Sequence, residues 1–212
     1  MVAAQDQNLD YRRPRMDSDL DLLTRWRGGD QAGGRDLFAR YFDQIHRFFS
    51  NKCSEPDEMV QVTFLAVLKA RDQFEGRSSF RTYLFTIARN ELYRHVRTLQ
   101  RDRLFDPEIS SLAQIGTSIG GRLARNQEHK MMCDALRTLP LEQQTILELH
   151  YWEDIDIAAL SEVFECEPAT MRMRLHRART ALREAMLTNK AVPAQALASL
   201  ETLDTWARGA AR

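Results

Sequence analysis

The sequence predicts an all-α protein made of two small helical domains joined by a flexible linker. Three observations indicate this fold class. Apolar residues recur with helical spacing along most of the 212 residues, strand-type alternation is nearly absent, and Gly and Pro cluster between the periodic segments. The hydrophobic content of 43% is enough for real cores, so the chain is not a disordered tail protein.

The periodic segments predict eight helices. In chain order they are Asp19 to Arg27, Arg35 to Ser50, Asp57 to Arg71, Phe80 to Arg101, Arg125 to Leu139, Glu142 to Tyr151, Ile157 to Phe164 and Ala169 to Leu187. Gly33 and Gly34 should weaken the helix they adjoin by about 1 kcal/mol each relative to alanine.

The stretch DPEISSLAQIGTSIGG has no sustained periodicity and separates the first four helices from the last four. We therefore expect five parts. They are a head (residues 1–18), a first domain (19–103), a linker (104–124), a second domain (125–188) and a C-terminal extension (189–212). In the extension, Leu197, Leu200, Leu203 and Trp206 are spaced by three, which fits an amphipathic helix docked on this chain or on a partner. A frayed end fits equally well.

Charge is segregated along a chain whose formal net charge is zero. Residues 141–167 contain eight acids and no Lys or Arg, whereas residues 77–103 contain seven Arg against two acids. A third block, PATMRMRLHRARTAL at residues 168–182, has four Arg and no acid. Two basic blocks on a neutral chain predict two sites for a polyanion.

The sequence lacks the motifs of several classes of function. Glycine-rich phosphate loops, His-Glu-x-x-His motifs and nucleophile elbows are absent from the sequence, so we expect no enzyme and no cofactor. Cys53, Cys133 and Cys166 are far apart and odd in number, which favours ordinary buried or half-buried thiols. No apolar run approaches the roughly 18 residues needed to span a bilayer, and the N-terminus lacks a signal peptide, so we expect a cytoplasmic protein without membrane insertion.

Residues 142–187 have the order typical of a helix-turn-helix, whose second helix lies in the major groove of DNA. Asp156 is a candidate N-cap of the first helix, and Pro168 suits the first turn of the second. In that second helix Met171, Leu175, Ala178 and Leu182 share one stripe, which should face the core. A solvated basic face or a membrane-surface helix would show similar arginines. The turn and the acid-only segment before it favour DNA.

Three stretches carry a family resemblance. PDEMVQVTFLAVL, followed by FEGRSSFRTYLFTIARNELYRHVR, resembles the second conserved region of bacterial sigma factors. RLHRARTALRE resembles the end of their fourth region. With these two regions and a linker, the chain resembles an extracytoplasmic-function (ECF) sigma factor over roughly residues 19–187.

The resemblance implies contacts with core RNA polymerase, through its β′ clamp and its β flap. The clamp would be met by the helix that bears Asp57, Glu58 and Gln61, whose acids and amide lie on one side and suit a basic partner. The same acids also fit a first turn that favours the helix dipole.

The resemblance further implies two contacts with promoter DNA. Contacts with the −10 element would come from Phe74, Glu75, Gly76, Arg77, Ser78, Ser79, Arg81, Asn90, Arg94 and Arg97. The loop from Glu75 to Ser79 would hold a flipped base, Asn90 would reach the strand nearby, and the last two arginines would hold phosphate. Melted DNA needs such stacking surfaces and cations, although most aromatics in this segment should be core.

Contacts with the −35 element would come from Thr170, Arg172, Met173, Arg174, His176, Arg177 and Arg179. The earlier of these would read bases and the later ones would bind phosphate.

Four positions depart from the family pattern. Tyr83 replaces a usual Trp, Gly34 a common aromatic residue and Arg94 a frequent Asp. Glu165 fills the usual glycine of the turn, so either its backbone is strained or the turn differs.

The leading hypothesis is a sigma factor that binds core polymerase, recognises promoters and assists their melting without catalysis. Many members of the family are also held by an anti-sigma factor between their two domains. Two alternatives fit the same residues. One is a helix-turn-helix regulator that binds duplex DNA alone, and the other is a protein-binding adaptor that mimics sigma.

Overall fold

The computed structural model describes residues 17–99, 106–108, 110–115, 127–188 and 200–211. Within those ranges all regular elements are helical, apart from one isolated bridge between Ser111 and Pro140. The helices are α1 (Asp19–Arg27), α2 (Gln31–Ser50), α3 (Pro56–Ala70), α4 (Phe80–Leu99), α5 (Leu112–Ile115), α6 (Gln127–Thr138), α7 (Leu141–Tyr151), α8 (Ile157–Val163), α9 (Pro168–Thr188) and α10 (Leu200–Ala211). The all-α prediction is confirmed. The head up to Met16 and much of the predicted linker lie outside the described residues.

Two helices depart from the predicted set. The short α5 lies inside the predicted linker, where no helix was expected. The helix α10 lies in the C-terminal extension, so the interpretation as a further helix is confirmed for residues 200–211.

The described residues up to Leu37 form one compact unit, which contains α1 and the start of α2. A capping box opens α1: the backbone N–H of Asp21 donates to the Ser18 hydroxyl, and the Asp21 carboxylate accepts from the backbone of Ser18. The helix buries Leu22, Leu23 and Trp26.

The glycines at the start of α2 permit a close approach to α1. A methyl group on Gly34 would lie 2.7 Å from the indole of Trp26, and one on Gly33 would lie 2.6 Å from the carbonyl oxygen of Leu22. No side chain fits at those distances. The helix begins at Gln31 rather than at the predicted Arg35, so both glycines lie inside it.

Residues from Phe38 onward form the second unit, in which α3 packs on α4, and α7, α8 and α9 pack on one another. The core stripe of α4 includes Leu84, Phe85, Ala88 and Leu92, each fully buried. Helix α4 also packs against α8. Helices of the two predicted domains therefore touch within this unit.

The segment from α8 to α9 is a helix-turn-helix. The backbone N–H of Ala159 donates to Asp156 at 2.8 Å, so the predicted N-cap is confirmed. Glu165 in the turn has a φ of 52°, the left-handed conformation that favours glycine. The turn thus keeps the geometry that a glycine would give, at a cost in backbone strain.

Candidate nucleic-acid and polymerase surfaces

Helix α9 buries one stripe and exposes the opposite arc. Met171, Leu175, Ala178 and Leu182 are buried, so the predicted core stripe is confirmed. The residues Thr170, Arg172, Met173, His176 and Arg177 are exposed. Met173 is 57% exposed, although methionine is usually buried. The helix therefore presents a cationic surface with an apolar centre, which suits base edges and thymine methyl groups in a major groove.

The two edges of α9 carry arginines that are paired within the chain. Arg174 donates to Glu142 at 2.9 Å, and burial raises the pKa of that carboxyl against the opposing effect of Arg174. On the other edge, Arg179 forms an ion pair with Asp204 of α10 at 2.7 Å. Of the seven residues predicted for the −35 element, these two are held by acids in this structure.

The loop predicted for the flipped base is an exposed turn between two buried aromatics. Glu75, Gly76, Arg77 and Ser79 are exposed, and Ser78 is half-buried. Gly76 has a φ of 72°, so a glycine suits this position. Arg77 pairs with Glu75 at 2.7 Å, but both side chains are largely exposed and hence contribute little to stability. The loop is therefore free of packing constraints on its outer side.

The aromatics around this loop lie mainly in the core, as expected. Phe74, Phe80 and Phe85 are buried, and Phe74 packs edge-on against Phe80 with ring centroids 6.0 Å apart. Phe74 also contacts the ring of Tyr83, whose hydroxyl donates to the carbonyl oxygen of Ala70. Phe74 thus packs beneath the loop in the core, and its ring presents no stacking face to solvent.

Three predicted −10 residues lie on the outer side of α4. Asn90, Arg94 and Arg97 are exposed. Arg94 pairs with the buried carboxylate of Glu91 at 2.9 Å, and Asn90 accepts a bond of 2.7 Å from Arg89. Both contacts leave the outer side of the helix open to a nucleic-acid strand.

The remaining predicted −10 residue, Arg81, is engaged by the second predicted domain. Its guanidinium donates to the backbone carbonyl of Glu153 and lies 3.4 Å from the carboxylate of the same residue. Glu153 is buried and also accepts from Arg47 at 2.8 Å. The acid-only segment therefore binds the N-terminal basic surface instead of merely adding negative charge to its own domain.

Two further cations make the same kind of contact, and sequence reasoning did not single them out as site residues. Arg89, which is 9% exposed, donates to the carbonyl of Val163 and to Glu165 at 3.0 Å. Lys52 is fully buried and donates to Glu148 and to the carbonyl of Phe48. The sequence signal for these contacts was the acid-only segment at residues 141–167. If its acids are buried, they need cations from another part of the chain.

Burial dominates the electrostatics of Glu148. Burial raises the pKa of this carboxyl, while Lys52 and the amide of Gln144 oppose the rise. The amide donates to the second carboxylate oxygen at 2.8 Å. The pair is thus surrounded by hydrogen bonds that offset part of the desolvation cost.

The predicted polymerase helix α3 exposes Asp57, Glu58 and Gln61 together. Sequence reasoning missed the apolar ridge beside them, formed by Val62, Leu65 and Leu68, which are 36%, 55% and 45% exposed. The signal was the apolar content of PDEMVQVTFLAVL, which exceeds what one buried stripe requires. Phe64 stacks on Phe38 with ring centroids 4.4 Å apart. This combination of acids and exposed leucines is typical of a protein-binding surface.

A metal site, a reactive cysteine and a membrane span would each require particular features in the described part of the chain. No group of three or more His, Cys, Asp or Glu could hold a metal ion there. Cys53 and Cys133 are not in disulfides, and burial raises the pKa of each to about 12, which disfavours the nucleophilic thiolate. Across the same residues, the helices are too short or too polar to cross a bilayer.

Two family models match the chain. The model of sigma-70 region 2 matches residues 37–102, and that of sigma-70 region 4 matches residues 131–182. The ECF RNA polymerase sigma-E factor of Haemophilus influenzae is 25% identical over 190 residues, covering 83% of this chain and 96% of the relative. The factor of the same name from Salmonella typhimurium is 26% identical over 177 residues, covering 78% and 92%.

Two solved structures share the fold. CnrH, solved in complex with the cytosolic domain of CnrY, superposes with a TM-score of 0.61 at 23% identity, covering 82% of this chain and 100% of that one. The sigma factor RpoE of Bartonella quintana, solved with the anti-sigma factor NepR, superposes with a TM-score of 0.53 at 21% identity, covering 74% and 98%.

Proposed function

The chain belongs to the sigma-70 family as an ECF sigma factor, a protein that binds core RNA polymerase and promoter DNA in transcription initiation. On that premise we propose which surface of the chain binds each partner. The observation that carries the proposal is the composition of three exposed surfaces: an acidic and apolar one on α3, and basic ones on α4 and α9.

For the −35 element, we propose that the exposed arc of α9 enters the major groove. Thr170, Met173 and Arg177 approach base edges from the centre of that arc, with Arg172 and His176 beside them. Arg174 and Arg179, on the two edges, bind phosphates after they leave their acids.

For the −10 element, the exposed loop from Glu75 to Ser79 receives an unpaired base, and Asn90 contacts the adjacent strand. Arg94 and Arg97 neutralise backbone phosphates along α4. Phe74 holds the loop in place from the core, and its role is therefore positional.

For core polymerase, Asp57, Glu58 and Gln61 contact a basic part of the β′ clamp, and the ridge of Val62, Leu65 and Leu68 adds apolar burial. The second domain meets the β flap.

Promoter engagement also requires a rearrangement. Arg81 can bind promoter phosphate only after it leaves Glu153, so the contact between α4 and the acid-only segment must open when polymerase takes up the chain. The process needs no catalytic chemistry, which fits a non-enzymatic protein of the cytoplasm. An anti-sigma factor is a further proposed partner, because RpoE of Bartonella quintana was solved with one.

Reconstituted transcription tests the whole proposal. Core polymerase with this chain should initiate at specific positions on a genomic template library, and core alone should not. Tight binding of specific duplexes without core, together with no initiation when core is added, would instead identify a stand-alone regulator.

A pair of variants tests the polymerase surface. The double substitution Asp57→Lys and Glu58→Lys should weaken core binding at least tenfold, because it places positive charge against a basic partner. The substitution Asp36→Lys reverses an exposed acid on α2, outside the proposed polymerase contacts, and serves as the control. Unchanged core affinity in the double variant would remove α3 from the clamp contact.

A further inference from the structure

The helix α10 lies outside both segments that match the family models, yet it packs against α6, α7 and α9. Its residue Ala207 is fully buried. The contact is therefore a packed interface between the C-terminal extension and the DNA-reading domain.

Two reciprocal ion pairs fix α10 in this position. Asp204 accepts from Arg179 at 2.7 Å and from the hydroxyl of Tyr151. One turn later, Arg208 donates to Asp154 at 3.1 Å. An acid and a base four residues apart on α10 thus meet a base and an acid on the domain, which sets the register of the contact.

His150 lies between the two arginines and acts as a neutral acceptor. Its Nδ1 is 3.1 Å from the carbonyl oxygen of Ile155, so Nδ1–H donates to that oxygen. Its Nε2 then accepts from Arg179 and from Arg208, each at 3.1 Å. Burial and the two guanidinium groups lower the pKa of His150, which keeps the ring neutral in this role.

We infer that α10 is an intramolecular competitor of DNA for the recognition helix, in which the carboxylate of Asp204 occupies Arg179 in place of a promoter phosphate. Carboxylate and phosphate oxygens use the same guanidinium donors. Arg179 is only 23% exposed while Asp204 holds it. The inference rests on the proposed function in one respect, the assignment of Arg179 to phosphate binding.

The tether makes this competition effective even if the contact itself is weak. Residues 189–199 are the eleven residues between α9 and α10. A connection of that length gives α10 an effective concentration in the mM range at its site on the domain. Helix α10 therefore binds this site unless DNA outcompetes it.

Variants of the full chain test the inference. The chain ended after Thr188 lacks α10, and Asp204→Lys reverses the charge facing Arg179. Thr205→Lys adds a charge at an exposed position of the same helix and is the matched control. Binding is measured by fluorescence anisotropy with a labelled duplex of random sequence, which reports phosphate contacts alone, over a range of salt concentrations.

The truncated chain and Asp204→Lys should bind this duplex about fivefold more tightly than the full chain. Their salt dependence should steepen by about 0.9, the value for one additional phosphate contact. Thr205→Lys should leave the slope within half that change. Equal affinities and equal slopes for the full and truncated chains would overturn the inference.

Hydrogen exchange in the absence of DNA gives a second measurement. The amides of α10 should be protected in the full chain, lose protection in Asp204→Lys, and regain it in the charge swap of Asp204→Arg with Arg179→Asp. Absence of protection in the full chain would also overturn the inference. Reconstituted transcription separates this failure from failure of the proposed function, because a sigma factor without a competing tail still initiates with core polymerase.

Discussion

Lys52→Met should destabilise the chain strongly, because it leaves the buried carboxylate of Glu148 without its cation. Both side chains are almost fully buried, at 0% and 3% exposure. Without Lys52, burial is opposed by the amide of Gln144 but no longer by a cation, and the pKa of the carboxyl rises further. The carboxylate is then buried without the charge that compensates its desolvation.

The magnitude follows from the burial of the pair, because removing one partner leaves the other charge buried and uncompensated. Such a change typically costs about 3–5 kcal/mol. The free energy of unfolding, measured by urea titration, should fall by this amount.

The sign of the pH dependence is also fixed. A group whose folded pKa is raised stabilises the fold below its unfolded pKa, and this stabilisation is lost as pH rises. The deficit of Lys52→Met should therefore shrink as the pH falls from 7 toward the ordinary pKa of glutamate, about 4.3. The double variant Lys52→Met with Glu148→Leu removes both charges and should recover most of the lost stability. A loss below about 1 kcal/mol, or a double variant as unstable as the single one, would refute the reasoning.

Three further perturbations follow from particular contacts. Gly34→Ala should destabilise the chain by about 1–3 kcal/mol in thermal unfolding, because its methyl group meets Trp26, whereas Gly209→Ala, with open space around it, should not. A more stable Gly34→Ala variant would contradict the close approach. Glu165→Gly should raise the free energy of unfolding by up to about 1 kcal/mol, because it relieves the left-handed strain while losing the pair with Arg89. A loss of stability would mean that the Arg89 pair outweighs the strain. Arg177→Ala should weaken binding of polymerase holoenzyme to a −35 element by about 1–3 kcal/mol, measured against Glu184→Ala as control. A lower salt slope with unchanged sequence preference would assign Arg177 to phosphate instead.

The sequence predicts features that depend on neighbouring residues. The buried stripe of α9 and the N-cap at Asp156 follow from helical periodicity and cap chemistry, and the structure contains both. At Glu165 the sequence left a strained left-handed backbone or a different turn open, and the structure has the left-handed backbone. Each of these signals lies within about one or two helical turns of the feature it specifies.

Contacts between distant segments could not be predicted in this way. Lys52 and Glu148 are 96 residues apart, and no periodicity identifies the partner of a buried cation. The glycines at 33 and 34 illustrate the same limit, because the close approach of the Leu22 carbonyl oxygen and of the Trp26 indole requires them, whereas helix propensity disfavours them. The ridge of Val62, Leu65 and Leu68 went unnoticed because periodicity counts apolar residues without showing how many the fold can bury.

The pairing of Arg47 and Arg81 with Glu153 has a kinetic consequence. Long-range attraction of a protein to DNA depends on uncancelled positive field, and here two cations of the basic surface lie within 3.4 Å of a carboxylate. The free chain should therefore associate with DNA more slowly than a chain in which these two cations are unpaired. Opening of this contact on polymerase would then raise the rate of promoter encounter, and the free chain would spend less time on the many non-specific sites of a genome.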